Sequence, residues 1–235
     1  VFDEKSLIKV LKIGVDYIKI ASSDINDLFL LRKIKSSRKK TILSTGMSNL
    51  KEIKRARKIL GKNVKILHCV SIYPCSVKSA NLNRITELQK KLKMNIGYSD
   101  HTQGNDACKI AISLGAKIIE KHFTYNKKLI GADHNISADK KDLAEIVLFA
   151  KNFKKYLGDG TIEPTLKEKK NKKFFRKGIY FAKNIDKKHI INLEDINFLR
   201  PSNALDVSIY KELIGKRLKK KVVKFQEVKK NLFYN

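Results

Sequence analysis

Two histidines sit where their spacing could do chemistry. His101 closes the segment Gly97-Tyr98-Ser99-Asp100-His101-Thr102, and His122 lies within Glu120-Lys121-His122-Phe123-Thr124. Each segment follows a short apolar run that reads as a strand, and Gly104 to Leu114 between them reads as one helix closed by Gly115. The histidines are 21 residues apart, one strand-helix-strand step. In a parallel α/β barrel both would emerge at the carboxyl ends of neighbouring strands, the face on which such barrels keep their chemistry. Two imidazoles side by side there could hold one divalent metal. The plainer alternative is a pair of hydrogen-bonded rim residues. Ser99, Asp100, Thr102, Glu120, Lys121 and Thr124 add polar groups at the same strand ends, where core packing does not ask for them.

The elements that must position these residues recur along the chain. Asp3 can cap a helix over 4–13 that stops at Gly14, and strand 15–20 ends at Ala21-Ser22-Ser23. A second helix is expected over 26–34, then strand 41–43 ending in Ser44-Thr45-Gly46-Met47. Asn49 with Glu52 makes a capping box for a helix to Leu60. Strand 64–69 ends near Ser71, and helices over 82–92 and 140–157 flank the histidine strands at 95–98 and 117–121. Five such steps with short connections predict a parallel sheet covered by helices.

Hydroxyls recur at the strand ends, at Ser22, Ser44, Ser71 and Ser99, with Lys19 beside them. Small side chains, free backbone N–H groups and a cation suit a phosphate. Five strands cannot close an eight-stranded barrel. Either the sheet is open and doubly wound, or the chain lacks the beginning of a barrel.

Residues 159–173, with Gly160, Pro164 and a lysine run, read as a linker after a first domain of residues 1–158. Residues 174–235 read as a small, mostly β module with strands near 176–182, 193–201 and 222–228 and a short helix at 209–213. A unit that small has a thin core.

Composition excludes some classes. The net charge of +29 resembles that of a nucleic-acid binder, but the 52 basic residues are 8 Arg and 44 Lys, spread over the whole length. Base and phosphate readers favour the arginine fork, so no nucleic-acid partner is expected. No apolar run reaches the roughly 20 residues of a membrane span. Three cysteines without a CxxC, Cys69, Cys75 and Cys108, fit a reducing cytoplasm; Cys69 and Cys108 read as core residues.

The segments ILSTGM (42–47), HCVSIYP (68–74), GYSDHT (97–102), EKHFT (120–124), GADHNIS (131–137) and LRPSN (199–203) together resemble the sialic acid synthase family, in order and over essentially the whole chain. The resemblance implies a partial TIM (β/α)8 barrel, about five of eight βα units, followed by an antifreeze-like (SAF, β-clip) domain. It implies condensation of phosphoenolpyruvate with an N-acyl amino sugar such as N-acetylmannosamine, giving a nonulosonic acid and phosphate. His101 and His122 would hold Mn²⁺ or Mg²⁺, polarising the sugar's aldehyde. Lys19, Ser22, Ser44, Ser71 and Ser99 would hold phosphoenolpyruvate, with Ser71 standing where some relatives carry Asn. Tyr73, Glu120 and Asp133 would lie near the sugar. Arg200 would reach the active site of a partner subunit, in a homodimer with exchanged antifreeze-like domains. Family members begin about a hundred residues earlier, so the chain is expected to be an amino-terminally incomplete enzyme, inactive by itself. Legionaminic or pseudaminic acid synthesis is the neighbouring alternative; a non-catalytic carbohydrate- or partner-binding remnant is the other.

Overall fold

Asp3 accepts a hydrogen bond from the Ser6 N–H at 2.6 Å and starts α1 (Glu4–Ile13), which Gly14 ends in the left-handed region at φ 84°. The computed structural model describes residues 1–131 and 133–234, so Ala132 of the GADHNIS segment lies outside the described residues. Contacts divide the chain into two units, Val1–Asp159 and Gly160–Asn235.

The first unit repeats one step. β1 (Tyr17–Ile20) leads to α2 (Leu28–Ser36), β2 (Lys40–Ser44) to α3 (Leu50–Leu60), β3 (Val64–Cys69) to α4 (Asn83–Leu92), and β4 (Ile96–Asp100) to α5 (Asp106–Ser113). β5 (Ile119–Lys121) and the long α6 (Lys140–Leu157) complete it. Capping boxes at Asn49/Glu52 and Asp139/Asp142 start α3 and α6. α2 begins two residues later than the spacing predicts, because Ser22–Asp24 forms a 3₁₀ turn and Asp27 supplies the cap.

All five strands are parallel, and they lie in the order β1-β2-β3-β4-β5. A doubly wound sheet needs a reversal of strand order, and there is none, so that alternative falls. The sheet curls as part of a barrel, with β1 and β5 as its margins. Ile18, Ile20, Leu43, Ile66 and Ile96 from the strands meet Leu30, Leu31, Ile34, Ile53 and Ile85 from the helices in one buried core. All three cysteines are buried and unbridged. No helix among the described residues is long and apolar enough to cross a membrane.

The second unit corrects two expectations. Residues 159–173 are not all extended linker: α7 (Leu166–Phe175) occupies much of that stretch, started by a Thr165/Glu168 capping box. None of its residues is buried, so it carries no apolar periodicity to read; the box was its only local signal. The last expected strand, 222–228, is absent as a strand. Val222 and Glu227 make isolated bridges to Ile185 and Tyr180, and Phe225, at φ 64°, turns the chain between them. β6 (Gly178–Phe181) and β7 (Ile196–Leu199) pair antiparallel over a core of Ile179, Phe181, Ile191, Leu218 and Val228.

Asp195 is fully buried at the start of β7. It accepts hydrogen bonds from the Asn192 N–H at 2.9 Å and the His189 Nε2 at 2.8 Å, and pairs with Lys183 at 2.9 Å. Burial pushes its carboxyl pKa up, but the Asn192 N–H, Lys183 and His189 outweigh it and hold it below the usual value. On acidification the unfolded chain therefore takes up this proton first. The stabilisation is full above the unfolded pKa of about 3.9 and is lost as pH falls through the lower folded value. Methyl NMR signals of Ile191 and Val222, followed through thermal unfolding, should show a midpoint that drops below about pH 4, and Asp195→Asn should remove most of that drop.

Candidate active site

The carboxyl ends of the five strands surround a cavity of about 470 Å³. Lys19, Ser22, Ser44, Tyr73, Ser99, His101, Glu120 and His122 all line it. Eight of the eleven residues singled out from the sequence thus meet in one place. Ser71 sits just beyond the wall, its Oγ 3.8 Å from the Cys69 Sγ. Asp133 also lies outside it, its carboxylate 3.9 Å from the His122 Nδ1. Arg200 belongs to the second unit and is exposed after β7.

One side of the cavity is built on β1 and β2. The Ser22 hydroxyl accepts from the Gly46 N–H at 2.8 Å. A Cβ on Gly46 would lie 2.1 Å from the Ser71 Oγ and 3.0 Å from the Ser22 Oγ, so glycine is what lets both hydroxyls close on the backbone. Lys19 Nζ lies 3.3 Å from one Glu120 carboxylate oxygen, and the Ser44 hydroxyl donates to the other at 3.1 Å. Glu120 thus pairs across the cavity with Lys19, not with its sequence neighbour Lys121.

The two histidines face one another at the other side, their ring centroids 5.4 Å apart, and the Tyr73 ring lies 4.1 Å from that of His101. The His101 Nδ1 donates to the Val70 carbonyl at 2.9 Å, which leaves Nε2 as the lone-pair nitrogen of the neutral ring. Burial pushes its pKa down, but the Cys69 thiol and the Val70 carbonyl outweigh burial and hold it above the ordinary value. The donor set therefore suits a divalent ion: two imidazoles, one with its tautomer fixed as metal-bound histidines have it. Among the described residues no group of three or more His, Cys, Asp and Glu is arranged for a metal, so water or substrate oxygens would complete the shell. His68, in the same motif as Tyr73, is different. It is buried, bonded through Nε2 to the Ala80 carbonyl at 2.8 Å, and burial pushes its pKa below the ordinary value.

Asp100 and Lys121 stand at the ends of β4 and β5 as the spacing predicts and touch the cavity, but they are not solvated there: they form a buried ion pair at 2.6 Å. Burial pushes the Asp100 pKa up, but Lys121, the Thr102 N–H and the Cys108 thiol outweigh it and leave the carboxyl below its usual range. β4 consequently runs on through Asp100, two residues further than expected.

A family model described as NeuB matches residues 1–162. The chain belongs to the NeuB family. It is 36% identical over 221 residues to an N,N'-diacetyllegionaminic acid synthase of Campylobacter jejuni, covering 92% of this chain and 66% of that protein. It is 34% identical over 208 residues to a pseudaminic acid synthase of the same species, covering 87% and 60%. Among solved structures, an N-acetylneuraminic acid (sialic acid) synthetase from Leptospira borgpetersenii, in complex with citrate, superposes with a TM-score of 0.66 at 40% identity over 72% of this chain and 61% of that one. This NeuB-family chain thus spans less than two thirds of the length of these relatives.

Proposed function

We propose that this chain serves a synthase that condenses phosphoenolpyruvate with an N-acyl amino sugar, yielding a nonulosonic acid and inorganic phosphate. The observation that carries this reading is the single cavity in which Lys19 and a set of serines stand opposite His101 and His122. Lys19, Ser22, Ser44 and Ser99 offer one cation and three hydroxyls to an anionic substrate. Glu120 pairs with Lys19 and accepts from the Ser44 hydroxyl, and a phosphate or carboxylate held there would compete with it for both. His101 and His122 would hold the divalent ion, which when bound supplies a Lewis acid for the sugar's aldehyde. The enol C3 then forms a bond to the aldehyde carbon, water adds at C2, and phosphate leaves with cleavage of its C–O bond. Tyr73, packed against His101, walls the sugar side.

The same reading makes the second unit an antifreeze-like domain whose Arg200 completes a partner subunit's site in a cytoplasmic homodimer. It also assigns turnover to a closed barrel, since here the sheet has two free margins. Phosphate release from phosphoenolpyruvate with an ¹⁸O bridge, with N-acetylmannosamine or a di-N-acetylated counterpart and Mn²⁺, tests it. The chain alone should be silent. The chain mixed with the amino-terminal third of a relative should release labelled phosphate. Turnover by the chain alone would refute the need for closure; a mixture that forms a complex yet releases none would refute the synthase.

A further inference from the structure

We infer that Asp100 and Lys121 act as a positioning pair that sets the separation of His101 and His122; this rests on the reading of those histidines as a metal hold. The two residues are register partners, the last rung of the β4–β5 ladder, and each histidine is the next residue out on its strand. That ladder has only three rungs. Beyond it the His101 carbonyl accepts from the Cys75 N–H at 2.9 Å and the His122 carbonyl from the Ala138 N–H at 2.7 Å, so each histidine is tied to its own side and neither bond joins β4 to β5.

The side chains supply the rest. Asp100 accepts from the Lys121 Nζ at 2.6 Å, the Thr102 N–H at 2.8 Å, the Tyr98 hydroxyl at 3.0 Å and the Cys108 Sγ at 3.2 Å. Lys121 also donates to the Thr102 carbonyl at 2.8 Å. Residues 100 and 102 are therefore both tied to Lys121, and His101 is clasped between them. Both residues stand at the cavity wall, but their side chains are 0% and 6% exposed and turned to one another, so the pair acts on the histidines chiefly through the backbone. A buried ion pair is a poor stabiliser compared with apolar packing, and its best-attested use is to fix register. This one stands where register decides the distance between two imidazoles.

The test uses the full chain, in wild-type form and as Lys121→Met, Lys121→Arg and the neutral double variant Asp100→Asn/Lys121→Gln. Imidazole ¹⁵N NMR of the metal-free protein should show the His101 and His122 signals displaced or broadened in Lys121→Met, with His68 unmoved. Calorimetric titration with Mn²⁺, at a temperature where circular dichroism shows the fold intact, should give a Kd raised about 10- to 100-fold. Lys121→Arg should stay close to wild type. The double variant leaves no unpaired charge in the interior, and should show the same displacement and loss if Lys121→Met does not fold. A folded variant with unmoved His101 and His122 signals and wild-type Mn²⁺ affinity would overturn the inference, reducing the pair to a structural contact. Failure of the wild-type chain to bind Mn²⁺ would instead remove the metal reading, while the NMR signals still judge the positioning.

Discussion

His101→Ala is expected to weaken Mn²⁺ binding about 100-fold or more, equivalent to about 2.7 kcal/mol, because the proposed metal hold has two protein ligands and this removes one. His122→Ala should do the same. Neither ring belongs to the apolar clusters: His101 is buried at the cavity wall, bonded to the Val70 carbonyl and beside the Cys69 thiol, and His122 is part-exposed at the cavity. Both variants should therefore keep the fold. His68→Gln is the contrasting case. It disturbs a buried ring bonded to Ala80 and stacked on Tyr98, so it should lower the unfolding temperature while leaving Mn²⁺ affinity within a few-fold of wild type. Titration calorimetry and a thermal melt on each of the three variants separate the two classes. Equal loss of Mn²⁺ binding in all three would mean that the histidines are being read through stability alone.

Gly97→Ala should cost about 3 kcal/mol of unfolding free energy, the upper range for overpacking a close-packed site. The added Cβ would lie 2.3 Å from the Leu67 Cδ2, 2.7 Å from the Ile118 carbonyl oxygen and 3.0 Å from the Ile118 Cβ. A leucine methyl can turn aside, but the carbonyl belongs to the backbone that bonds the Tyr98 N–H at 2.8 Å. Relief therefore means parting β4 from β5, at the step that carries both histidines. Gly104→Ala is the comparison: its Cβ would meet nothing within 4 Å, and only the left-handed backbone at φ 75° is strained. That strain costs about 1 kcal/mol. Urea unfolding midpoints of the two variants measure the difference; a Gly97→Ala protein as stable as Gly104→Ala would contradict the packing described.

The first unit was readable because its helices announce their ends. Asp3 and Gly14 bound α1, Asn49 and Gly61 bound α3, and 140–157 is α6 to the residue. The strands follow from the apolar runs between those stops. The histidines and the serine rim were readable because one strand-helix step repeats, which puts equivalent positions on one face. Asp100 and Lys121 were not, since a buried charge looks like a loop residue until its partner, 21 positions away, is placed against it. Glu120 shows the same limit: its partner Lys19 lies a hundred residues away in sequence and meets it only once β1 and β5 are placed around the cavity. In the second unit, order rests on 3₁₀ turns, isolated bridges and the Asp195 cluster rather than on long periodic elements, so its expected last strand had nothing regular to follow.

Every strand of the sheet touches only the strands made just before and just after it. Such a layout grows by accretion, as a stack does. Steps added at the margins leave the inner seams of the order β1-β2-β3-β4-β5 as they were. The side chains that line the cavity, from Lys19 on β1 to His122 after β5, are thus brought together by these five steps alone.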